Sequence, residues 1–353
     1  MNASNHVPQR LEICEALTDD PTKALELTGK GQTVALISNG GDIPCLGAVG
    51  PQASLVYLEE SARLFRKMAN LSVLPLAIQS NSAEELANLT AMLAPSAGVL
   101  CLDGLTDDLS FAVERLMAPM GLPVFFNPQS SRPILILTAL SRALAITGRE
   151  ISEARIVFAG FEADSLGLVE FLQAAGAVNL VFCDRSGAIH KGRPGPTSWL
   201  KEQLGQRTNP QLIKGGLNRS LAGADVYISR ATPMHLTKDV INMMAPRPII
   251  LNFSNSLQPH YPLAAANEPL GLGFGVGPET RLPLKLLTPL VLTGLFTGAL
   301  RAKATSISLA MRLAVSRALE EQIDHNSQRL LPLFSKPDLV EKVAARVMEA
   351  AKS

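Results

Sequence analysis

Apolar residues follow two rhythms along this chain. Short, nearly continuous apolar runs at residues 33–37, 71–78, 98–102 and 122–126 have the length of buried strands. Between them lie helical patterns. Residues 59–69 place Ala62, Phe65 and Ala69 on one face, and 82–93 open on Ser82 with Glu85 three positions later, a capping box. Residues 110–117 predict a third helix. Strands alternating with helices argue for a parallel sheet covered on both faces. Pro133 can open the next helix, since a missing N–H costs nothing in the first turn, and Gly148 ends it. A domain boundary falls along that helix. A second, more regular set follows, with strands at 155–160, 178–184, 226–229 and 248–252 and a helix at 165–175 closed by Gly176. Strand, helix and strand, with Asp184 closing the second strand, outline a dinucleotide-binding fold. Two further helices, 305–323 and 338–351, flank a proline-bearing stretch.

Composition narrows the classes. The chain has 353 residues, 47% of them hydrophobic, enough for a sizeable core in two domains. With 32 basic and 31 acidic residues and no charge run, nothing favours a nucleic-acid or membrane-surface partner. Cys14, Cys45, Cys101 and Cys183 lack metal-ligand spacing and read as reduced thiols. The most apolar long stretch, 282–300, is broken by Pro283, Lys285, Pro289, Gly294 and Gly298 and reads as a core segment. Residues 1–10 are polar and lack a signal core. The expectation is a cytoplasmic protein with no membrane span.

Several collinear segments resemble the small bacterial malic enzymes. They include Leu46-Gly47-Ala48-Val49-Gly50-Pro51, Leu64-Phe65-Arg66-Lys67, Leu122-Pro123-Val124-Phe125, the run from Phe182 to Arg193, and Gly294-Leu295-Phe296-Thr297-Gly298-Ala299-Leu300. The family's stretch of a few dozen residues before its tyrosine motif has no counterpart here. The resemblance implies a two-domain α/β architecture: an N-terminal α/β domain over 1–133, a Rossmann-like doubly wound parallel sheet over 134–300, and C-terminal helices over 301–353 packing back on the first domain. It also implies a homodimer, NAD or NADP, Mg²⁺ or Mn²⁺, and the oxidative decarboxylation of malate.

At the positions carrying that chemistry the chain departs from the family. The tyrosine acid aligns with His6 and the general-base lysine with Ser61, which reads as a helix-surface serine without a nucleophile elbow. The family's metal carboxylates align with Asp103, Gly104 and Pro128, leaving one carboxylate, with Arg132 adding a positive charge nearby. The glycine-rich turn becomes Gly160-Phe161-Glu162-Ala163-Asp164-Ser165, keeping only its first glycine. Glu162 and Asp164 place negative charge at a helix N-terminus meant for pyrophosphate, where like charges ~4 Å apart repel by about 1 kcal/mol in water and more when buried. They would instead stabilise the helix start themselves. Gly160 and Asp184 remain as remnants of the cofactor site. Gly273, Gly275 and Gly277 read as a late loop.

These departures lead to an expectation of no bound nicotinamide or metal, and of a non-catalytic interaction or regulatory protein with a possible protein partner. Two alternatives stand beside it. One is a re-purposed enzyme whose interdomain cleft, expected to be faced by Ser38, Asn39, Asp103, Asn127, Lys191, Arg193 and Asn255, takes a small anionic ligand. The other is an unorthodox dehydrogenase.

Overall fold

The computed structural model describes residues 6–43, 46–120, 125–126, 131–162, 164–195, 198–230, 236–253, 270–272, 284–324, 327, 329–334, 336 and 338–352. Two short elements, α1 (His6–Asp19) and α2 (Ala24–Leu27), lead into the first α/β layer. That layer runs β1 (Thr33–Ser38), α3 (Pro51–Ala69), β2 (Ser72–Ala77), α4 (Ala83–Leu93), β3 (Val99–Leu102), α5 (Asp107–Met117) and β4 (Phe125–Phe126). Its four strands pair in parallel in the order β2-β1-β3-β4. The helix α6 (Arg132–Thr147) leads to the second layer: β5 (Arg155–Ala159), α7 (Ser165–Ala174), β6 (Asn179–Asp184), β7 (Gly187–Ala188), α8 (Trp199–Arg207), α9 (Leu217–Leu221), β8 (Val226–Ser229), α10 (Lys238–Asn242), β9 (Ile249–Asn252) and β10 (Leu270–Leu272). Here the order is β10-β9-β8-β5-β6-β7, parallel except for β7. The chain closes with α11 (Leu284–Arg301), α12 (Leu309–Glu321) and α13 (Leu339–Ala350). The fold class is therefore as expected.

Local chemistry explains most boundaries. Ser82 caps α4 by accepting from Glu85 N–H, as the capping box requires. The return arm differs: Glu85 accepts from the Ser80 hydroxyl, whose oxygen in turn accepts from Ser82 N–H. Pro133 lies in the first turn of α6, and Gly148 ends it at φ +71°. Among the helices outside the sequence expectation, which also include α2 and α10, three stand out. The first is α1, in which none of the described side chains is buried. The second is α8, capped by Ser198. The third is the opening half of α3, which begins at Pro51 rather than near Glu59. The apolar stretch 282–300 is largely the core helix α11, and among the described residues no helix is long and apolar enough to cross a membrane. Cys14 is exposed and Cys101 and Cys183 are buried, all three free.

One continuous apolar core runs beneath both sheets. From Arg132 to Leu140 every residue of α6 is buried, the behaviour of a helix apolar on all sides. Thr138 meets Ser316 of α12 hydroxyl to hydroxyl at 3.0 Å, and Arg142 donates to the Asp324 and Ser327 carbonyls. Phe65 of α3 meets Phe296 of α11 edge-on with ring centroids 5.9 Å apart. Phe158 and Phe182, partners across β5 and β6, stack at 4.4 Å.

The packing of α11 against α13 depends on two glycines one turn apart. A Cβ on Gly294 would lie 2.5 Å from Val343 Cγ1, and one on Gly298 2.5 Å from Val347 Cβ. The helices approach this closely only because neither position carries a side chain. Replacing Gly298 by Val should force them apart and cost about 3 kcal/mol of stability. Urea denaturation of the variant checks this, and an unchanged midpoint would refute it.

Candidate functional site

In the second sheet the strand order reverses between β5 and β8, so the C-terminal ends of these strands border a crevice of the kind that holds ligands in open α/β sheets. Gly160 makes the turn after β5 at φ +88°. The acids that follow do not cap α7. Asp164 stands at the N-cap position with no side-chain capping bond. Its carboxylate is instead gripped through both oxygens, at 2.6 and 2.8 Å, by Arg230, the first residue after β8. Arg230 also reaches Glu162 at 3.1 Å and the Ser165 hydroxyl at 3.1 Å. Arg132, at the start of α6, bonds Glu162 at 2.7 Å and Asp107 of α5 at 2.9 Å.

The result is a web of two guanidiniums and three carboxylates joining both layers. Arg230 and Asp164 are both buried. Burial pushes the Glu162 carboxyl up, against the opposing pull of Arg230 and Arg132. Burial would lower the Arg230 guanidinium, but Asp164 and Glu162 outweigh it and hold the group above its usual range. The expectation that bare carboxylates confront an incoming anion, and cap the helix themselves, is thus corrected. The acids are compensated by arginines, one brought from the end of β8 and one from the start of α6, and the N–H groups at the start of α7 are not capped by them.

Asp184, at the end of β6, is equally engaged. It accepts from Arg193 at 2.9 Å and from Ser186 N–H at 2.8 Å, and pairs with Lys201 of α8 at 2.9 Å. Lys201 in turn sits 5.7 Å from the centroid of the Phe161 ring, next to Gly160 in the turn. Burial alone would raise the Asp184 carboxyl, but the bonds from Arg193, Lys201 and Ser186 bring it down to about 2. Beside it opens a cavity of about 220 Å³ lined by residues including His190, Lys191, Arg193, Lys201 and Glu202.

The first layer holds a second cluster. Ser61 is buried rather than on the helix surface, because α3 starts at Pro51 and turns Ser54, Leu58, Ser61, Ala62 and Phe65 inward. Its hydroxyl shares a hydrogen bond with Tyr57, whose hydroxyl donates to Asp103 at 3.4 Å. Burial, and then the Asp103 charge, hold the Tyr57 phenol well above its usual range. Gly104 follows at φ +68°, where a Cβ would lie 2.6 Å from both Ser38 Oγ and Ile43 Cδ1.

Ser38 and Asn39 are committed to structure. Ser38 accepts from Gly40 N–H, while Asn39 accepts from Gly41 N–H and donates to Ser80 and Asn81. Among the described residues no three His, Cys, Asp or Glu side chains gather to hold a metal ion. Asn127, Pro128 and Asn255, with Gly273, Gly275 and Gly277, lie outside the described residues, as does the side chain of His6. Sequence reasoning missed Tyr57, Arg230 and Lys201. Arg230 had one signal: two acids in a turn between buried strands require a countercharge, and an arginine directly follows the run Val226-Tyr227-Ile228-Ser229.

No family model matches the sequence. The chain is 31% identical over 350 residues to the NAD-dependent malic enzyme of Geobacillus stearothermophilus, covering 98% of this chain and 72% of that protein. It is 31% identical over 310 residues to an NADP-dependent malic enzyme of Rhizobium meliloti, covering 86% of this chain and 40% of that one. The crystal structure of the NAD-dependent malic enzyme of Thermotoga maritima superposes with a TM-score of 0.86 at 24% identity, covering 97% of this chain and 90% of that one, a likeness of fold. The expectation of no cofactor, nicotinamide and metal alike, is overturned: relatives matching over nearly the whole chain are NAD- and NADP-dependent enzymes. The compensated acids remove the electrostatic argument behind it.

Two outcomes follow from the charge pattern. Replacing Arg230 by Met leaves the buried Asp164 carboxylate only Arg132, 3.9 Å away, and should cost about 3 kcal/mol. A denaturation midpoint within error of the parent would refute this. Asp184 has a folded pKa below its unfolded value, so its contribution is present above about pH 4 and is lost as pH falls through about 2. Asp184→Asn should therefore cost about 2–3 kcal/mol at neutral pH and progressively less in acid. Urea titrations at both ends of that range test the sign.

Proposed function

The chain belongs to the malic-enzyme family, and from that premise we propose that it binds a nicotinamide dinucleotide on its second sheet without oxidatively decarboxylating malate, acting as an interaction or regulatory protein. Support for the dinucleotide comes from the relatives' named dependence on NAD or NADP and from residues that suit it. Gly160 keeps the turn after β5, Glu162 and Asp164 are neutralised by Arg132 and Arg230, and Asp184 ends β6. A bound nicotinamide would supply a hydride acceptor.

One observation carries the loss of malate chemistry. Oxidising a hydroxyl to a carbonyl needs a group that takes the hydroxyl proton. At the position aligned with the family's lysine this chain has Ser61, buried and tied to Tyr57. A serine hydroxyl is no base near neutral pH without an activating partner. Its neighbour is a phenol held in its protonated form, which takes up no further proton from a substrate. Asp103 is the carboxylate that a divalent ion would meet here, and its Oδ1 accepts from that phenol.

On this reading the protein is a homodimer or a subunit of a mixed assembly. Leu11 on α1 and Val56 on α3 are apolar side chains 60% and 74% exposed. The test combines the protein with malate, Mn²⁺ and each oxidised dinucleotide in turn. The expected result is no reduced nicotinamide above the protein-free rate, together with a thermal shift on adding dinucleotide alone. Sustained malate-dependent reduction would overturn the proposed loss of catalysis. Absence of any dinucleotide-dependent shift would overturn the proposed binding.

A further inference from the structure

Charge is spread unevenly over this chain. Residues 1–120 hold 14 acidic and 7 basic residues. The segment 184–219 holds 7 basic and 2 acidic, a net +5 in a chain whose whole net charge is +1. Its basic residues arrive singly, so no run marks them, and the fold gathers them at one edge. β7 is the outermost strand of the second sheet, two places beyond β5 and on the far side from β8. Asn209, buried at φ +55°, stitches the loop after α8 to that edge. Its N–H donates to the Leu180 carbonyl at 2.6 Å, and its side-chain amide donates to the carbonyls of Ile189 and Ile213. The Gly215 carbonyl then accepts from Ala188 N–H at 2.8 Å, covering β7. Arg219 lies against Gly215, where a Cβ would meet its Cδ at 3.0 Å. From the other side α8 abuts the exit of β7, since a Cβ on Gly205 would lie 2.9 Å from the His190 carbonyl. With the edge strand covered, strand addition is closed to a partner, and recognition falls to side chains.

Two of the seven cations, Arg193 and Lys201, are spent on Asp184. The other five, Arg185, Lys191, Arg207, Lys214 and Arg219, are exposed, and no carboxylate among the described residues pairs with any of them. Exposed arginines elsewhere do find partners across helices, as Arg301 does with Glu341 and Arg346 with Glu321. The same segment exposes two large apolar side chains. Trp199, the first residue of α8, is 67% exposed, and Leu212, on the loop that Asn209 ties down, is 53% exposed. Tryptophan and arginine are the side chains that protein interfaces draw on most, and here they stand together without a partner.

We propose that this edge docks an acidic segment of a partner protein, whose carboxylates meet Arg207, Lys214 and Arg219 and whose apolar side chain covers Trp199. Arginine forks match carboxylates in geometry as well as charge. A short protein segment suits the surface better than an extended polyanion. A nucleic-acid duplex or an anionic bilayer would also meet the field of the acidic first layer, and base stacking asks for several aromatic side chains where this segment holds one. The proposal rests on the reading above that the chain acts through a partner protein, and not on dinucleotide binding.

Trp199 is the only tryptophan of the chain, so its fluorescence reads this face directly. The probe is a peptide of about a dozen residues, glutamates and aspartates around two leucines. Titrated into the full chain at low salt, it should shift the emission to the blue with a Kd on the order of 10 μM. Raising NaCl from about 0.05 to about 0.5 M should weaken it at least about tenfold. Arg207→Gln, Lys214→Gln and Arg219→Gln together should weaken it more than about tenfold at low salt. Circular dichroism establishes that this variant is folded. If it is not, Lys214→Gln alone, altering one exposed side chain, should still weaken the peptide about threefold. No blue shift up to about 1 mM peptide would overturn the proposal. Equal binding of a peptide with Gln and Asn in place of the acids would overturn the role of charge. Tighter binding of a DNA duplex or of phosphatidylserine vesicles would overturn the assignment to protein. A blue shift on concentrating the chain alone, lost in the triple variant, would put a second copy on the face and overturn the foreign partner. Peptide binding by a chain that turns over malate would uphold the surface and overturn the reading it rests on, while neither binding nor turnover would overturn the surface alone.

Discussion

Charge compensation at the crevice of the second sheet is the constraint around which the site is organised. A carboxylate buried as deeply as Asp164 persists only with a partner whose hydrogen bonds replace those of water. Arg230 supplies them, and to do so β8 must deliver its last peptide against the turn that follows β5. Arg132 repeats the arrangement from the other side, reaching from the start of α6 to Glu162 and across to Asp107. Because α6 is the helix enclosed by the common core, the web fixes the turn, the helix and the first layer relative to one another. Bare acids in such a turn would oppose an anion. Here the acids are drawn sideways onto guanidiniums, two positive charges set among three negative ones.

The two layers separate what holds the fold from what could carry chemistry. Strand registers, the capping of α4, the turn at Gly148 and the aromatic stack between β5 and β6 are features of a sheet covered by helices and say little about chemistry. The Tyr57, Ser61 and Asp103 cluster is different. Its members lie close together in a buried place, linked through one phenol. Similarity to a relative over 98% of the chain speaks for the packing of these layers, because packing and catalysis are enforced by different residues.

Much of the fold was legible in local sequence. Strands at 33–38, 179–184 and 226–229 announce themselves as apolar runs ending in polar turns, and α6 as a helix opened by proline and closed by glycine. What escaped depended on distance in sequence. The first half of α3 was hidden because Ser54 and Ser61 are polar residues on its inner face, which blurs the apolar stripe that marks a helix. Ser61 reads as a surface residue for the same reason. The fate of Glu162 and Asp164 was illegible locally, since a carboxylate at a helix start reads as a cap until a guanidinium some sixty-odd residues downstream is seen to claim it. The engagement of Asp184 by Lys201 is likewise a tertiary event, made when α8 folds over the end of β6.

The web of Arg132, Arg230, Asp107, Glu162 and Asp164 also bears on how this chain can change over generations. Its members come from four separate segments, and each of the five shares a partner with another. Losing Asp164 or Arg230 removes the main counterpart of a buried charge, so single replacements at these two positions are costly while paired replacements of opposite sign, or of both by neutral groups, pass. Descendants of this sequence should therefore show correlated substitution at 164 and 230, and drift there should come in steps rather than gradually. The surface pairs of Arg301 with Glu341 and Arg346 with Glu321, both about half exposed, carry no such coupling and are free to wander one residue at a time.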